Sequence, residues 1–113
     1  MEMTVVSLGD RVVKVTLVGR LDTQSVGRVE TQFLAHLAPD NAIVDLSGVD
    51  FVASMGIRML VSAAKSLRTR KAKLALYGAQ PRVLQVLEAV SLQQIVPICA
   101  TEAEALATVS PAE

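Results

Sequence analysis

Ala42-Ile43-Val44-Asp45-Leu46-Ser47-Gly48-Val49-Asp50-Phe51-Val52-Ala53-Ser54-Met55-Gly56-Ile57 passes from an apolar β-type run into a helical pattern. Ala42 to Leu46 is short, apolar and bounded by turn residues, which suits a central strand covered on both faces. The chain then loops through Asp50, and a helix begins near Met55. Ile57, Leu60, Val61, Ala64 and Leu67 recur at helical spacing as its apolar stripe. Ser54 falls at the junction. A serine there can cap the helix, satisfying one orphan first-turn amide for about 1 kcal/mol. Phosphorylated, it would carry a charge of roughly −1.5 to −2 where a helix N-terminus best tolerates it. The two roles are compatible, and residue type alone leaves both open.

Working outward, Val12 to Val18 is rich in β-branched residues and reads as a strand ended by Gly19. Gly9-Asp10 would turn it back against an N-terminal strand around Thr4 to Leu8, making a hairpin. Arg20-Leu21-Asp22-Thr23 leads into a helix whose core positions are Val26, Val29, Phe33, Leu34 and Leu37, stopped by Pro39-Asp40-Asn41. Downstream of the central segment, Lys65, Arg68, Arg70 and Lys71 gather near a helix C-terminus, where the dipole favours cations. Lys73 to Tyr77 is a further strand closed by Gly78. Pro81 suits the first turn of a third helix, with Val83, Leu84, Val86, Leu87 and Val90 as its apolar residues. Ile95-Val96-Pro97-Ile98 predicts a short edge strand, because Pro97 cannot donate to a ladder. Thr101 and Glu104 stand at capping-box spacing for a last helix. Two strands followed by alternating helix and strand predict an α/β fold: one domain over residues 1–113, a small mixed β-sheet with about four flanking helices.

Bulk properties narrow the function classes. Lys plus Arg and Asp plus Glu number 11 each, so the net charge is zero and no electrostatic pull favours nucleic acid or an anionic membrane. A neutral surface lacks strong self-repulsion and permits a homodimer. The apolar runs fall well short of the roughly 20 residues of a membrane-spanning helix, and the first residues lack the pattern of a signal peptide. Cys99 is the one cysteine, which excludes an internal disulfide and suits a reduced, cytoplasmic setting.

Catalytic chemistry is poorly supplied. His36 is the sole histidine and reads as a surface or half-buried structural residue; Cys99 reads as a small buried one. There is no phosphate loop, dinucleotide fingerprint or nucleophile elbow. Asp22, Asp45 and Asp50 each lie at or just past a predicted strand end and could share one edge of the sheet. They read as a cap and turn-fixers, with a divalent cation as the alternative. Near Ser54, helical phase sets Met55 and Met59 off the Ile57 stripe, so the pair either forms an adaptable contact surface or packs under a loop.

Three segments carry a resemblance to a known family: Gly19-Arg20-Leu21-Asp22, Val44 to Gly56, and Lys73 to Gly78 with Pro81-Arg82-Val83. In their order and spacing the chain resembles the STAS-domain proteins, specifically the single-domain bacterial anti-sigma factor antagonists. The resemblance implies a non-enzymatic, cofactor-free regulator that binds an anti-sigma factor with serine kinase activity. Phosphorylation releases that partner and a serine phosphatase resets the cycle, regulating transcription by partner switching. Ser54 matches the phosphoacceptor, Asp22 the strand-end aspartate near the docking site, and Gly56 the glycine that opens the helix; Phe51, Met55 and Met59 complete the expected contact surface. Where family members carry Asp-Ser-Ser-Gly or Asp-Ser-Thr-Gly, this chain has Ala53-Ser54-Met55-Gly56. That departure gives weight to a rival reading, a STAS subunit or scaffold docked on the ATPase of a lipid-trafficking ABC transporter. A third reading is an enzyme or nucleotide-binding domain using the three aspartates.

Overall fold

The computed structural model describes residues 1–9, 11–37 and 41–109. A five-stranded sheet has spatial order β1-β2-β3-β4-β5, formed by β1 (Glu2–Ser7), β2 (Val12–Leu21), β3 (Asn41–Val52), β4 (Leu74–Tyr77) and β5 (Ile98–Cys99). β1 and β2 are antiparallel, while β2 to β5 run parallel. Helices α1 (Thr23–Leu37), α2 (Ser54–Thr69), α3 (Pro81–Ala89) and α4 (Glu102–Val109) alternate with the later strands. Asp10, expected in the hairpin turn, and Pro39-Asp40, expected to stop α1, lie outside the described residues.

The period-2 pattern divides the sheet into two packed faces. Val13, Val15 and Leu17 of β2, Val44 and Leu46 of β3, and Leu74 and Leu76 of β4 face one core with α1, α2 and α3. Three crossovers of one hand place those helices together. Val12, Ile43, Ala75 and Tyr77 face the other way, under Ala105 and Val109 of α4. Polar contacts clamp α4 there: the Lys14 ammonium meets Glu102 Oε1 at 2.8 Å, and the Tyr77 hydroxyl donates to the same oxygen at 3.0 Å. Lys14 holds the Glu102 carboxyl below its ordinary range. Burial, then the bond to Glu102, pushes the Tyr77 hydroxyl well above its ordinary value.

The expected helices are present, and α3 has Pro81 in its first turn. The Glu104 amide donates to Thr101 Oγ1 at 3.2 Å, the predicted cap of α4. Three boundaries differ from expectation. β2 continues past Gly19 to Leu21: Gly19 adopts φ +118° inside the strand, beside a register shift at which β3, from Val49 to Phe51, carries one residue more than β2. β3 runs through the expected loop to Val52 and takes up the irregularity itself, with one extra residue between Asp45 and Gly48 and another between Val49 and Phe51. The last strand begins only after Pro97, whose carbonyl accepts from the Leu76 amide at 2.9 Å; a single 3-10 turn, Leu92–Gln94, precedes it.

Candidate functional site

The lengthening of β2 and β3 builds the site. Both strands project beyond β4 and end side by side, with Arg20 opposite Phe51 and Leu21 opposite Val52. The Ala53 amide then donates to the Leu21 carbonyl at 2.9 Å, pinning the start of α2 against the end of β2. Ala53, extended at φ −100°, ψ 175°, is the N-cap and makes no side-chain cap bond. Ser54 is therefore the first helical residue, not the cap that its position suggested. Its side chain is exposed, while Met55 and Gly56 of the same turn are half-buried and buried. Gly56 and Ile57 both donate to the Ala53 carbonyl, at 2.9 and 3.1 Å. The amides of Ser54 and Met55 have no intrahelical acceptor, which leaves a small positive pole beside the serine.

Gly56 is a steric requirement. A Cβ there would stand 2.7 Å from Leu21 Cβ and 2.8 Å from the Leu21 carbonyl oxygen. This approach also sets the rotation of α2. Its buried positions are Gly56, Met59, Leu60, Ala63, Ala64 and Leu67, while Ile57 and Val61 are only half-buried. Met59 is thus fully buried in the core and is removed from the expected contact surface. Glycine adds nothing to an apolar stripe, so hydrophobic pattern alone set the phase one residue too far along. Met55 is half-buried at the edge of the core, and Phe51 remains 38% exposed.

Asp22 does cap α1, with a partner that the sequence reading missed. The Ser25 amide donates to Asp22 Oδ1 and the Asp22 amide donates to Ser25 Oγ, each at 3.0 Å. The Ser25 hydroxyl in turn donates to the Arg20 carbonyl. The three-residue offset in Asp22-Thr23-Gln24-Ser25 is capping-box spacing with the acid first, a signal available in the sequence. Ser25, with Arg20 beside it, holds the Asp22 carboxyl below its ordinary value. Arg20 joins the two strand ends: its Nε lies 3.5 Å from Asp22 Oδ2, and its guanidinium carbon stands 4.2 Å from the Phe51 ring centroid. A cation–π contact at an exposed site contributes about 0.5–1 kcal/mol. The end of the sheet thus presents Asp22, Arg20 and Phe51 with the start of α2, where Ser54 and Met55 lie.

The remaining candidates are dispersed. Asp45 Oδ1 accepts the Ser47 amide at 2.9 Å and the Ser47 hydroxyl at 2.7 Å, a local turn bond within β3. Asp50 is exposed on β3. Among the described residues no three His, Cys, Asp or Glu side chains gather to hold a metal ion. His36 is exposed in the last turn of α1. Cys99 is half-buried rather than buried, because a two-residue edge strand covers it on one side only; its Sγ lies 3.7 Å from Thr108 Oγ1.

The pattern of the STAS domain matches residues 5–105. The chain belongs to the STAS domain family. Among STAS relatives, the anti-sigma-B factor antagonist of Listeria monocytogenes is 27% identical over 94 residues, 81% of this chain and 82% of that protein. The structure of an anti-sigma factor antagonist from Mycobacterium paratuberculosis superposes with a TM-score of 0.84 at 22% identity, covering 97% and 94% of the two chains. The Bacillus cell fate determinant SpoIIAA in its phosphorylated form has a TM-score of 0.68 at 19% identity, covering 94% and 97%. At such identities the structural likenesses establish the STAS fold. Among the described residues no helix is long and apolar enough to cross a membrane.

Proposed function

We propose that this STAS domain is an anti-sigma factor antagonist that switches partners through Ser54. The observation that carries the reading is the exposed serine on the first turn of α2, beside a helix end without a side-chain cap and a strand-end surface of Asp22, Arg20 and Phe51. The name of the Listeria relative points the same way. In its unphosphorylated form the domain holds an anti-sigma factor, freeing the sigma factor for transcription. Phe51 and Met55 supply apolar contact, Asp22 and Arg20 polar contact, and Gly56 lets the helix start lie against Leu21. The domain acts by binding, in the cytoplasm, without catalysis of its own.

The anti-sigma factor is also the serine kinase that modifies Ser54, and a serine phosphatase restores the binding form. The physical basis of release is desolvation. A dianion placed within a docked, partly apolar surface costs several kcal/mol unless a cation meets it. Arg20, whose guanidinium joins the two strand ends, is already shared between Asp22 and the Phe51 ring. In the free domain the phosphate instead has water and the open first-turn amides. The test is incubation with the cognate anti-sigma kinase and Mg-ATP, with the phosphate located by tandem mass spectrometry. Modification at Ser54, absent from Ser54→Ala, is the expected result; modification at another residue, or none, would refute it.

A further inference from the structure

The two edges of the sheet are unlike. β5 is a two-residue edge, too short to template another strand, whereas β1 is six residues long and pairs with β2 in unbroken register from Glu2 to Ser7. Exposed edges are ordinarily blunted by Lys, Pro or a bulge. Glu2-Met3-Thr4-Val5-Val6-Ser7 carries neither residue, and Glu2 at its end is its one charge.

The ladder shows which backbone groups face outward. The Leu8 amide donates to the Val12 carbonyl at 2.9 Å, and Val6 and Thr4 continue opposite Lys14 and Thr16. In an antiparallel pair hydrogen-bonded positions alternate. The even-numbered residues therefore bond inward to β2, while Met3, Val5 and Ser7 direct their N–H and C=O groups away from the sheet.

We propose that β1 pairs antiparallel with β1 of a second copy of this chain, about a two-fold axis passing through Thr4. In that register Met3 meets the second copy's Val5 and Met1 meets its Ser7, so the outward-facing groups bond one another. Thr4 faces Thr4 of the second copy on the outer side of the sheet, and each Glu2 lies opposite Val6, which is 47% exposed in the single chain. Met3 and Val5, half-buried against the core, gain an apolar cross-strand neighbour. The fit is self-complementary: no like charges meet across the strand, and the chain's net charge of zero sets up no long-range repulsion. One strand pair is a small interface, so the dimer is weak and concentration-dependent.

Sedimentation velocity from about 1 to 300 µM tests this, with circular dichroism and thermal melting to confirm folding. Wild type is expected to move from monomer to dimer across that range. Thr4→Lys and Thr4→Glu, at an exposed position, should each weaken association at least tenfold, and an equimolar mixture of the two should restore it. Val5→Pro removes an outward N–H that β2 does not use, and should stay folded and monomeric. A wild type that is monomeric throughout overturns the proposal. So does a dimer that persists in all three variants, or one that the Lys/Glu mixture fails to restore.

Discussion

Gly56→Ala changes one hydrogen to a methyl group where α2 touches the end of β2. The new Cβ would lie 2.7 Å from Leu21 Cβ, 2.8 Å from the Leu21 carbonyl oxygen and 3.3 Å from Val52 Cγ1. Carbon contacts are comfortable at about 3.5–4.0 Å, so the helix start must retreat by about 1 Å. A flexible side chain cannot absorb this, because a Leu21 backbone atom is among the close contacts. Overpacking of this kind costs about 1–3 kcal/mol. Retreat also stretches the 2.9 Å bond from the Ala53 amide to the Leu21 carbonyl, a further loss of about 1 kcal/mol. Against these stands a gain of about 1 kcal/mol in helix propensity. The net expectation is a destabilisation of about 1–3 kcal/mol, read by urea unfolding as a midpoint lowered by about 1 M. Gly27→Ala supplies the contrast within the same chain. Gly27 lies at an exposed position of α1 with nothing within 4 Å of its added Cβ, so the same substitution should stabilise by about 0.5–1 kcal/mol. Unchanged or raised stability in Gly56→Ala would refute the close-approach argument.

Two further outcomes follow from the caps and charges. Ala53→Asp places an N-cap acceptor where no side chain caps α2; it should add about 1 kcal/mol and raise Tm by about 4 °C, and an unchanged melting curve would contradict the open helix end. Asp22 is held below its ordinary 3.8, chiefly by the Ser25 amide, and Glu102 below its ordinary 4.5, chiefly by Lys14. Both folded values are depressed, so their stabilisation is present above those ordinary values and is lost as pH falls through the lowered folded ones. Melting temperature followed from pH 7 to pH 2 should drop below about pH 4.5, and the drop should be shallower in Asp22→Asn and Glu102→Gln; an identical drop in both variants would contradict these assignments.

What the sequence made legible is what apolar period and turn chemistry encode locally. Val12 to Val18, Leu74 to Tyr77, Pro81 and the Thr101 cap stand where pattern placed them, because each is decided by neighbours within a few residues. The errors cluster at the candidate site, where long-range contacts decide. Ser47, Gly48 and Asp50 are turn formers by composition, yet β3 carries them within the strand, where bulges on β3 absorb its extra residues and keep it paired with β2. The phase of α2 is set by Gly56 against Leu21, a contact between residues 35 apart in sequence. That contact buries Met59 and leaves Ser54 one position inside the helix. Ser25 was the legible feature left unread, since its offset from Asp22 was already capping-box spacing.

The most direct test of the account is the affinity of the cognate anti-sigma factor for wild type, Ser54→Ala and the domain phosphorylated at Ser54, by isothermal titration calorimetry. Wild type and Ser54→Ala should bind alike, while the phosphorylated domain should bind about a hundredfold more weakly, a loss of about 3 kcal/mol. Equal affinity for all three would show that Ser54 is not the switch.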